Sequence, residues 1–495
     1  VLMTHQGNNI YTKQVHLASY YGVNAADPVN FLAFVFRNAS GSVVGRSSSN
    51  NDIFVALNVF QPGNYVSHTV QGNQLRVQAN QGSLFIDKFS AGLRVELRRD
   101  SLPVDSSYAV LDSLLFPVSI MVNDLPGHLQ FAFDNQHTVL VRKAPLQVLL
   151  LRGTDTIFAE TGGWEATTGG IKGSYRLQAN EALFGGGFRT QDVNLRGKRF
   201  DLYNAAQFGY SNGAMNLNVS IPFFVSSRGY GLLFDNHSGG VADLGNTDNA
   251  TMGATFEGGP MRYWLVPGNS YKQVLLHYTA LTGRQELPPL WSLGYIQSRY
   301  GYETEAEARN VVNQMRQQDF PLSALVLDLY WFGSPATMGN LNWDNARFPN
   351  PVGMMSDWRS VGVKTILITE TYFTQASSNF NAAASNGYFA TTSSGQPFIL
   401  GGFWAGSSAL LDLTKPSVRP WFMHFYQQRA LQGAEGWWCD LGEPESHPNE
   451  MRHFGGSARQ IHNIYSLIWA EWLHTHYKQQ FPNKRLFNLI RSGYS

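Results

Sequence analysis

The sequence predicts a multidomain protein of β plus α/β class: an N-terminal β-sandwich over residues 1–283, then a (β/α)8 barrel over residues 284–495 of which about five βα units are present. Three observations carry this. Short alternating runs with no sustained 3.6-residue period fill the first part. Near Leu287-Pro288-Pro289-Leu290 the pattern changes to strands alternating with helices. No G-x-G-x-x-G follows the first strand of that series, which argues against a dinucleotide-binding sheet and for a barrel.

The sandwich strands are read from Leu75–Ala79, Ser83–Ile86, Leu93–Leu97, Val139–Arg142, Leu146–Leu150 and Gly231–Phe234, each bounded by Gly, Asn or Asp. In the second part Leu293–Ile296 reads as a strand. Thr304-Glu305-Ala306-Glu307 has the form of a capping box. Ala308, Val311, Val312 and Met315 then fall on one helical stripe. Leu325-Val326-Leu327 follows as an unbroken apolar run, as a buried parallel strand requires. A helix over 352–360 stops at Gly362 before the strand Thr365–Ile368. After a long Gly/Ser-rich insertion, a helix over 418–431 leads into Gly436–Cys439, and one over 462–480 into Leu486–Ile490.

Composition excludes several function classes. Lys and Arg number 36 against 35 Asp and Glu, so no basic excess points to nucleic acid and no charge block to a membrane surface. No apolar run approaches the length of a membrane span. Charged residues are 14% and aromatics 13% of the chain, a mix suited to neutral polar ligands such as sugars. The single cysteine, Cys439, allows no internal disulfide, and its apolar strand makes it an inert buried thiol. Val1–His5 carries no signal peptide, and the first residue is not Met. The expectation is a fragment or a chain whose leader was removed, placed in the periplasm or outside the cell; oligomeric state is left open.

In a barrel of this kind catalytic groups stand at the C-terminal ends of the strands. Those ends carry Asp328, Glu370, Asp440 and Arg491, with Tyr295 or Gln297 on the first. Carboxylates beside aromatics fit acetal chemistry, in which one carboxylate attacks or stabilises the oxocarbenium centre and another carboxyl group protonates the leaving oxygen. Trp331, Trp404, Trp437 and Trp438 are the candidate sugar-stacking walls, although Trp437 and Trp438 must face opposite ways on one strand. Glu443 competes with Asp440 as nucleophile, but it lies three residues past the strand end, so position favours Asp440. His447, His453 and His462 match no zinc-ligand spacing. No metal and no cofactor are expected.

These residues resemble glycoside hydrolase family 31. Trp438-Cys439-Asp440-Leu441-Gly442-Glu443-Pro444-Glu445 is similar to that family's nucleophile segment. Leu327-Asp328-Leu329-Tyr330, Trp343-Asp344 with Phe348-Pro349-Asn350-Pro351, Phe403-Trp404-Ala405-Gly406 with Leu411–Pro416, and Ile490-Arg491-Ser492-Gly493 resemble further family segments in the same order. Leu183–Gly187 and Phe234-Asp235-Asn236 resemble segments of its sandwich. The resemblance implies Asp440 as nucleophile. It implies Asp328, Trp404, Trp438 and Arg491 as sugar-binding residues, with Glu443 a further candidate and Asp201 or Asn204 reaching in from the sandwich. It also implies a retaining, exo-acting α-glucosidase that takes an oligosaccharide. The alternatives are a 4-α-glucosyltransferase on malto-oligosaccharides, an α-galactosidase or α-xylosidase, and a catalytically dead carbohydrate-binding protein. Gly442 stands where the commonest members have Asn. The family's acid/base aspartate belongs to a sixth βα unit, past Arg491. The expectation is therefore a chain truncated within the barrel and inactive by itself.

Overall fold

The computed structural model describes residues 60–99, 106–167 and 170–495, together with the backbone of short strands between Thr4 and Ala56. Most of residues 1–59, and with them most of the start of the expected sandwich domain and residues 1–3 of the Val1–His5 segment, lie outside the described residues. One compact unit comprises Val1–Gln61 and Glu165–Gly169. Its strands pair Thr4–Gly7 with Ile10–Thr12, and Phe31–Phe34 with Ile53–Ala56. The other unit comprises Pro62–Trp164 and Gly170–Ser495 and holds all the elements that build the site.

Within that larger unit an eight-stranded and a nine-stranded sheet face each other, with antiparallel neighbours. Strand alternation explains the burial. Leu75, Val77 and Ala79 are buried while Arg76 between them is exposed; Leu93, Val95 and Leu97 are buried as well, but there Glu96 is also buried and is paired with Arg98 at 2.7 Å. Aromatic rings join the sheets: Phe158 lies 5.4 Å from Tyr230 and 5.9 Å from Tyr263. Each such ring contributes roughly 2–3 kcal/mol by leaving water. Gly185 and Gly187 have positive φ of 114° and 93°, and a Cβ there would lie 2.4 Å from Phe223 O and 2.2 Å from Val219 O. That close approach requires the glycines of the Leu183–Gly187 strand.

One helix was not expected in this part. Tyr271–Thr282 is helical, with the Ser270 hydroxyl accepting from the Gln273 N–H at 3.2 Å. Only Val274 and Leu281 are buried on it, while Leu275 and Leu276 are exposed, so the sequence shows no clean stripe.

The α/β part has five parallel strands: β1 (Tyr295–Gln297), β2 (Leu322–Leu327), β3 (Lys364–Thr369), β4 (Gly436–Cys439) and β5 (Asn488–Ile490), adjacent in chain order. Between them run α1 (Glu305–Gln317), α2 (Pro351–Ser360), α3 (Val418–Gln432) and α4 (Tyr465–Gln480). Sequential parallel neighbours are what a barrel requires and a doubly wound sheet does not give. The Thr304 hydroxyl caps α1 by accepting from Glu307 N–H at 3.2 Å. The reciprocal bond closes one residue upstream, from Glu303 N–H to Glu307 Oε2 at 2.9 Å. Ala308 and Val312 are buried, and Val311 and Met315 pack against the same core.

Three element boundaries differ from the sequence reading. Leu290–Leu293 forms a 3-10 turn, which delays β1. The helix expected from His462 starts as a 3-10 turn over His462–Ile464. The insertion before α3 contains a hairpin, Tyr372–Thr374 with Ser408–Leu410, and the short helix Phe380–Ser385. Among the described residues no helix is long and apolar enough to cross a membrane.

Candidate active site

The polar residues that follow the apolar cores of β2, β3, β4 and β5 converge on one cleft of about 420 Å³. Asp328, Glu370, Trp404, Trp438, Asp440 and Arg491 all line it, with Glu445, Phe208, Arg299 and Tyr300. Parallel strands in register explain the convergence: Leu327 pairs with Leu367 and Thr369 with Cys439.

Arg491 is the centre of an ion network. Its Nε and Nη2 donate to the two oxygens of Glu443 at 2.7 Å each, and Nη2 also donates to Glu445 at 2.8 Å. Its Nη1 lies 3.3 Å from Asp440 Oδ1. Burial opposes the guanidinium charge, but these carboxylates outweigh it and raise Arg491 further above its ordinary value. Asp440 itself is pushed up to about 6 by burial, while the Arg491 charge pulls it back. Its Oδ1 has no hydrogen-bond partner, and Leu441 beside it holds a positive φ of 61°. That φ is sparsely populated for a leucine and marks stored backbone strain next to the carboxylate. Asp328 is 5% exposed; burial raises it to about 6, against a single 2.7 Å hydrogen bond from Leu329 N–H. Glu370 is raised well above the carboxylate range by burial and by the charges of Asp440 and Asp328.

Several expectations change here. Glu443 was expected to bind substrate. It is fully buried, off the cleft wall, and its oxygens are held by Arg491 and by the Asn218 side-chain amide, so it supports Arg491. Trp331 and Trp437 are core residues. Trp331 donates to Ile368 O at 3.0 Å and Trp437 to the Tyr477 hydroxyl at 2.7 Å. Trp438 faces the other way and lines the cleft beside the half-exposed Trp404. On the first strand neither Tyr295 nor Gln297 lines the cleft; Ser298, Arg299 and Tyr300 do. Asp201 and Asn204 do not line it either. Asn204 is buried and donates to the Ser492 hydroxyl at 3.0 Å and to Gly493 O at 3.3 Å, bracing the chain after Arg491. The sandwich reaches the cleft through Phe208, whose ring lies 5.9 Å from the Arg491 guanidinium.

Cys439 is fully buried and burial pushes its thiol up to about 12, so it offers no nucleophile at neutral pH. The histidines form a chain. His462 Nδ1 is 3.0 Å from His447 Nδ1, His447 Nε2 is 2.7 Å from His453 Nε2, and His453 Nδ1 is 3.2 Å from Asp412. His462 Nε2 lies 2.7 Å from Asn204 O. Both ring nitrogens of each histidine are thus engaged by a neighbour.

Residues 285–495 match the model of the glycosyl hydrolases family 31 TIM-barrel domain. Residues 68–243 match that of the glycosyl hydrolase 31 N-terminal galactose mutarotase-like domain. The chain is 29% identical over 381 residues to alpha-glucosidase 2 of Bacillus thermoamyloliquefaciens, covering 73% of this chain and 48% of that protein. It is 27% identical over 291 residues to the alpha-xylosidase XylQ of Lactiplantibacillus pentosus, covering 58% and 37% respectively. The structure of the GH31 dextranase FjDex31A of Flavobacterium johnsoniae, complexed with glucose, superposes with a TM-score of 0.83 at 27% identity, covering 88% of this chain and 55% of that one. A mutant of that dextranase complexed with isomaltotriose superposes equally well. The chain thus spans about half the length, or less, of the curated relatives it matches.

Proposed function

From a chain that belongs to glycoside hydrolase family 31, we propose a retaining α-glycosidase that removes glucosyl units from the ends of α-linked gluco-oligosaccharides, with Asp440 as nucleophile. One observation carries the proposal: Asp440 follows a barrel strand into the cleft, where Arg491 Nη1 lies 3.3 Å from its Oδ1 and no other side chain among the described residues hydrogen-bonds the carboxylate. A nucleophile must be fixed in place without being saturated.

In the first step a carboxylate oxygen of Asp440 attacks C1 of the sugar, the bond from C1 to the leaving oxygen breaks, and that oxygen takes a proton from the acid/base aspartate that the family resemblance assigns to the sixth βα unit. In the second, water or a sugar hydroxyl attacks C1 and gives its proton back to that aspartate, and the ester bond breaks to return the Asp440 carboxylate. Arg491 stabilises that carboxylate in the free enzyme and as it departs from C1. Asp328, with only one neighbouring N–H on its carboxylate, has capacity to accept from sugar hydroxyls. Trp404 and Trp438 offer apolar faces to the ring. The glucosidase and dextranase names among the similar proteins favour glucose over xylose, and an oligosaccharide substrate fits a periplasmic or extracellular location. Transfer to a second sugar shares the first step and remains the alternative outcome.

Proton NMR of the full-length protein acting on maltotriose and isomaltotriose tests this. The expected first product is α-glucose, from the non-reducing end, before mutarotation. Appearance of β-glucose first, or release of xylose from a xyloside in preference to glucose, would contradict the proposal. A longer oligosaccharide appearing alongside glucose would identify the transferase form.

A further inference from the structure

The most deeply buried acid of the cleft takes no part in these two steps. Glu370 is 1% exposed and follows β3 by one residue, as Asp440 follows β4 by one residue. Thr369 and Cys439, the last residues of those strands, are register partners, and Asp440 N–H donates to Thr369 O at 3.0 Å. The Thr369 hydroxyl and Cys439 thiol lie 3.8 Å apart, and that hydroxyl meets Tyr426 on α3 at 2.7 Å. Both side chains therefore point to the helices. Strand alternation sends the next pair, Glu370 and Asp440, into the cleft side by side on strands about 5 Å apart. Both line it. Among the described residues Glu370 Oε2 and Asp440 Oδ1 are each buried without a hydrogen-bond partner, Asp440 Oδ1 having only the 3.3 Å ion pair with Arg491.

Two buried carboxylates at that spacing do not both ionise. Asp440 has the Arg491 guanidinium beside it, which favours its charge. Glu370 has no ion pair among the described residues, and the charges that act on it, from Asp440 and Asp328, are negative. Arg491, Arg299 and Glu445 are the other charged groups on the cleft wall. The proton therefore belongs to Glu370.

We propose that Glu370 is a positioning residue: as a neutral carboxylic acid it donates a hydrogen bond to Asp440 Oδ1 and holds the nucleophile at a fixed angle to the sugar. The proposal rests on Asp440 being the nucleophile. The proton stays on Glu370 in both steps. When the ester forms, Oδ1 becomes its carbonyl oxygen and keeps the donor. When the ester breaks, negative charge returns to Oδ1 and the same donor stabilises it.

The test is the rate of covalent labelling of the full-length protein by 5-fluoro-α-glucosyl fluoride, followed by intact mass from acid to alkaline pH. Fluoride departs without a protein acid, so the measurement isolates Asp440. Wild-type labelling should rise as Asp440 ionises around pH 6 and fall at alkaline pH as Glu370 loses its proton. Glu370→Gln keeps a donor but cannot ionise, so its profile should retain the acid limb and lose the alkaline fall. Glu370→Leu removes the donor and should slow labelling about tenfold or more at every pH, with its melting temperature measured alongside. If the leucine variant does not fold, the glutamine profile alone decides. A glutamine variant that keeps the alkaline fall, or a folded leucine variant labelled at the wild-type rate, overturns the proposal. Peptide mapping separates the two readings. Wild-type label away from Asp440 refutes the nucleophile assignment, whereas label at Asp440 with unaffected Glu370 variants refutes only this inference.

Discussion

Asp235 in the sandwich and Asp328 in the cleft are hidden to nearly the same degree, 4% and 5% exposed, yet their surroundings differ completely. Asp235 accepts from the Ser107 hydroxyl at 2.8 Å, Arg262 Nε at 2.7 Å and Trp264 Nε1 at 3.1 Å. Arg262 in turn lies 3.8 Å from Glu96. Asp328 has one hydrogen bond, from the next residue, and its cleft neighbours Glu370 and Asp440 each keep a buried oxygen with none. A buried carboxylate without partners costs free energy, so a fold tolerates it where a ligand or a proton shared with a neighbouring acid will supply them. Saturation marks the acid that holds the protein together, and its lack marks the acids gathered at the cleft. Glu443 joins the two roles: it is saturated and wholly buried, and what it holds is Arg491, the partner of Asp440.

The largest effect should come from the saturated side. Asp235→Ala takes from the buried Arg262 its 2.7 Å ion pair with Asp235 and should destabilise the protein by about 3–5 kcal/mol. Urea unfolding would show it, while Asp440 in the folded fraction is labelled at the wild-type rate. An unchanged midpoint would break the comparison.

A somewhat smaller effect concerns pH. Burial holds His462 down to about 3, and burial with His462 and His453 nearby lowers His447. Unfolded, both titrate near their ordinary value of about 6.5. Below that pH the unfolded chain binds more protons, so their contribution to stability falls as pH drops from about 6.5 toward 3. The loss from His462 alone should reach about 3 kcal/mol by pH 4, and His447 adds to it in the same direction. The cleft aspartates act in the opposite sense. Their folded values near 6 lie above the ordinary 3.8, so they favour folding increasingly as pH falls through that window. The difference in urea midpoint between wild type and His462→Gln isolates the histidine part. It should be constant above pH 7 and shift in favour of His462→Gln as pH falls below about 6.5.

The smallest effect sharpens the cleft side. Asp328→Asn removes a carboxylate that is charged at pH 7 against its burial, and should stabilise the fold by about 1–2 kcal/mol while weakening sugar binding. Calorimetric melting at pH 7 and glucose titration measure the two. The gain should vanish below about pH 4, where the aspartate is protonated in both states.

What could be read from sequence follows from how local each cause is. An apolar run ending in a polar residue locates a strand end, so Asp328, Glu370, Asp440 and Arg491 were legible together. Alternation also assigned Trp437 and Trp438 to opposite faces. Burial outside the strands has no such local signature, and the stacking wall expected at Trp331, in the turn after β2, proved to be core, as did Trp437, the helix-facing member of its pair. Phe208 and Asn218 reach the site across the fold, Asn218 meeting Glu443 from 225 residues away. Nothing in residues near 208 or 218 announces that. Gly442 departs from the family's common asparagine, and nothing in the packing explains it: a Cβ there would meet Ser466 at 3.4 Å and Trp469 on α4 at 3.5 Å, ordinary contact distances.

The central claim is that the unsaturated strand-end carboxylate Asp440 forms the covalent bond to sugar. Incubating the full-length protein with 5-fluoro-α-glucosyl fluoride and sequencing the modified peptide by mass spectrometry tests it most directly. The account predicts one glycosyl group, carried by Asp440 in the peptide spanning Trp438–Glu445, and none in Asp440→Asn. Modification of Glu443 or Glu445 instead, or an Asp440→Asn protein labelled as fast as wild type, would contradict it.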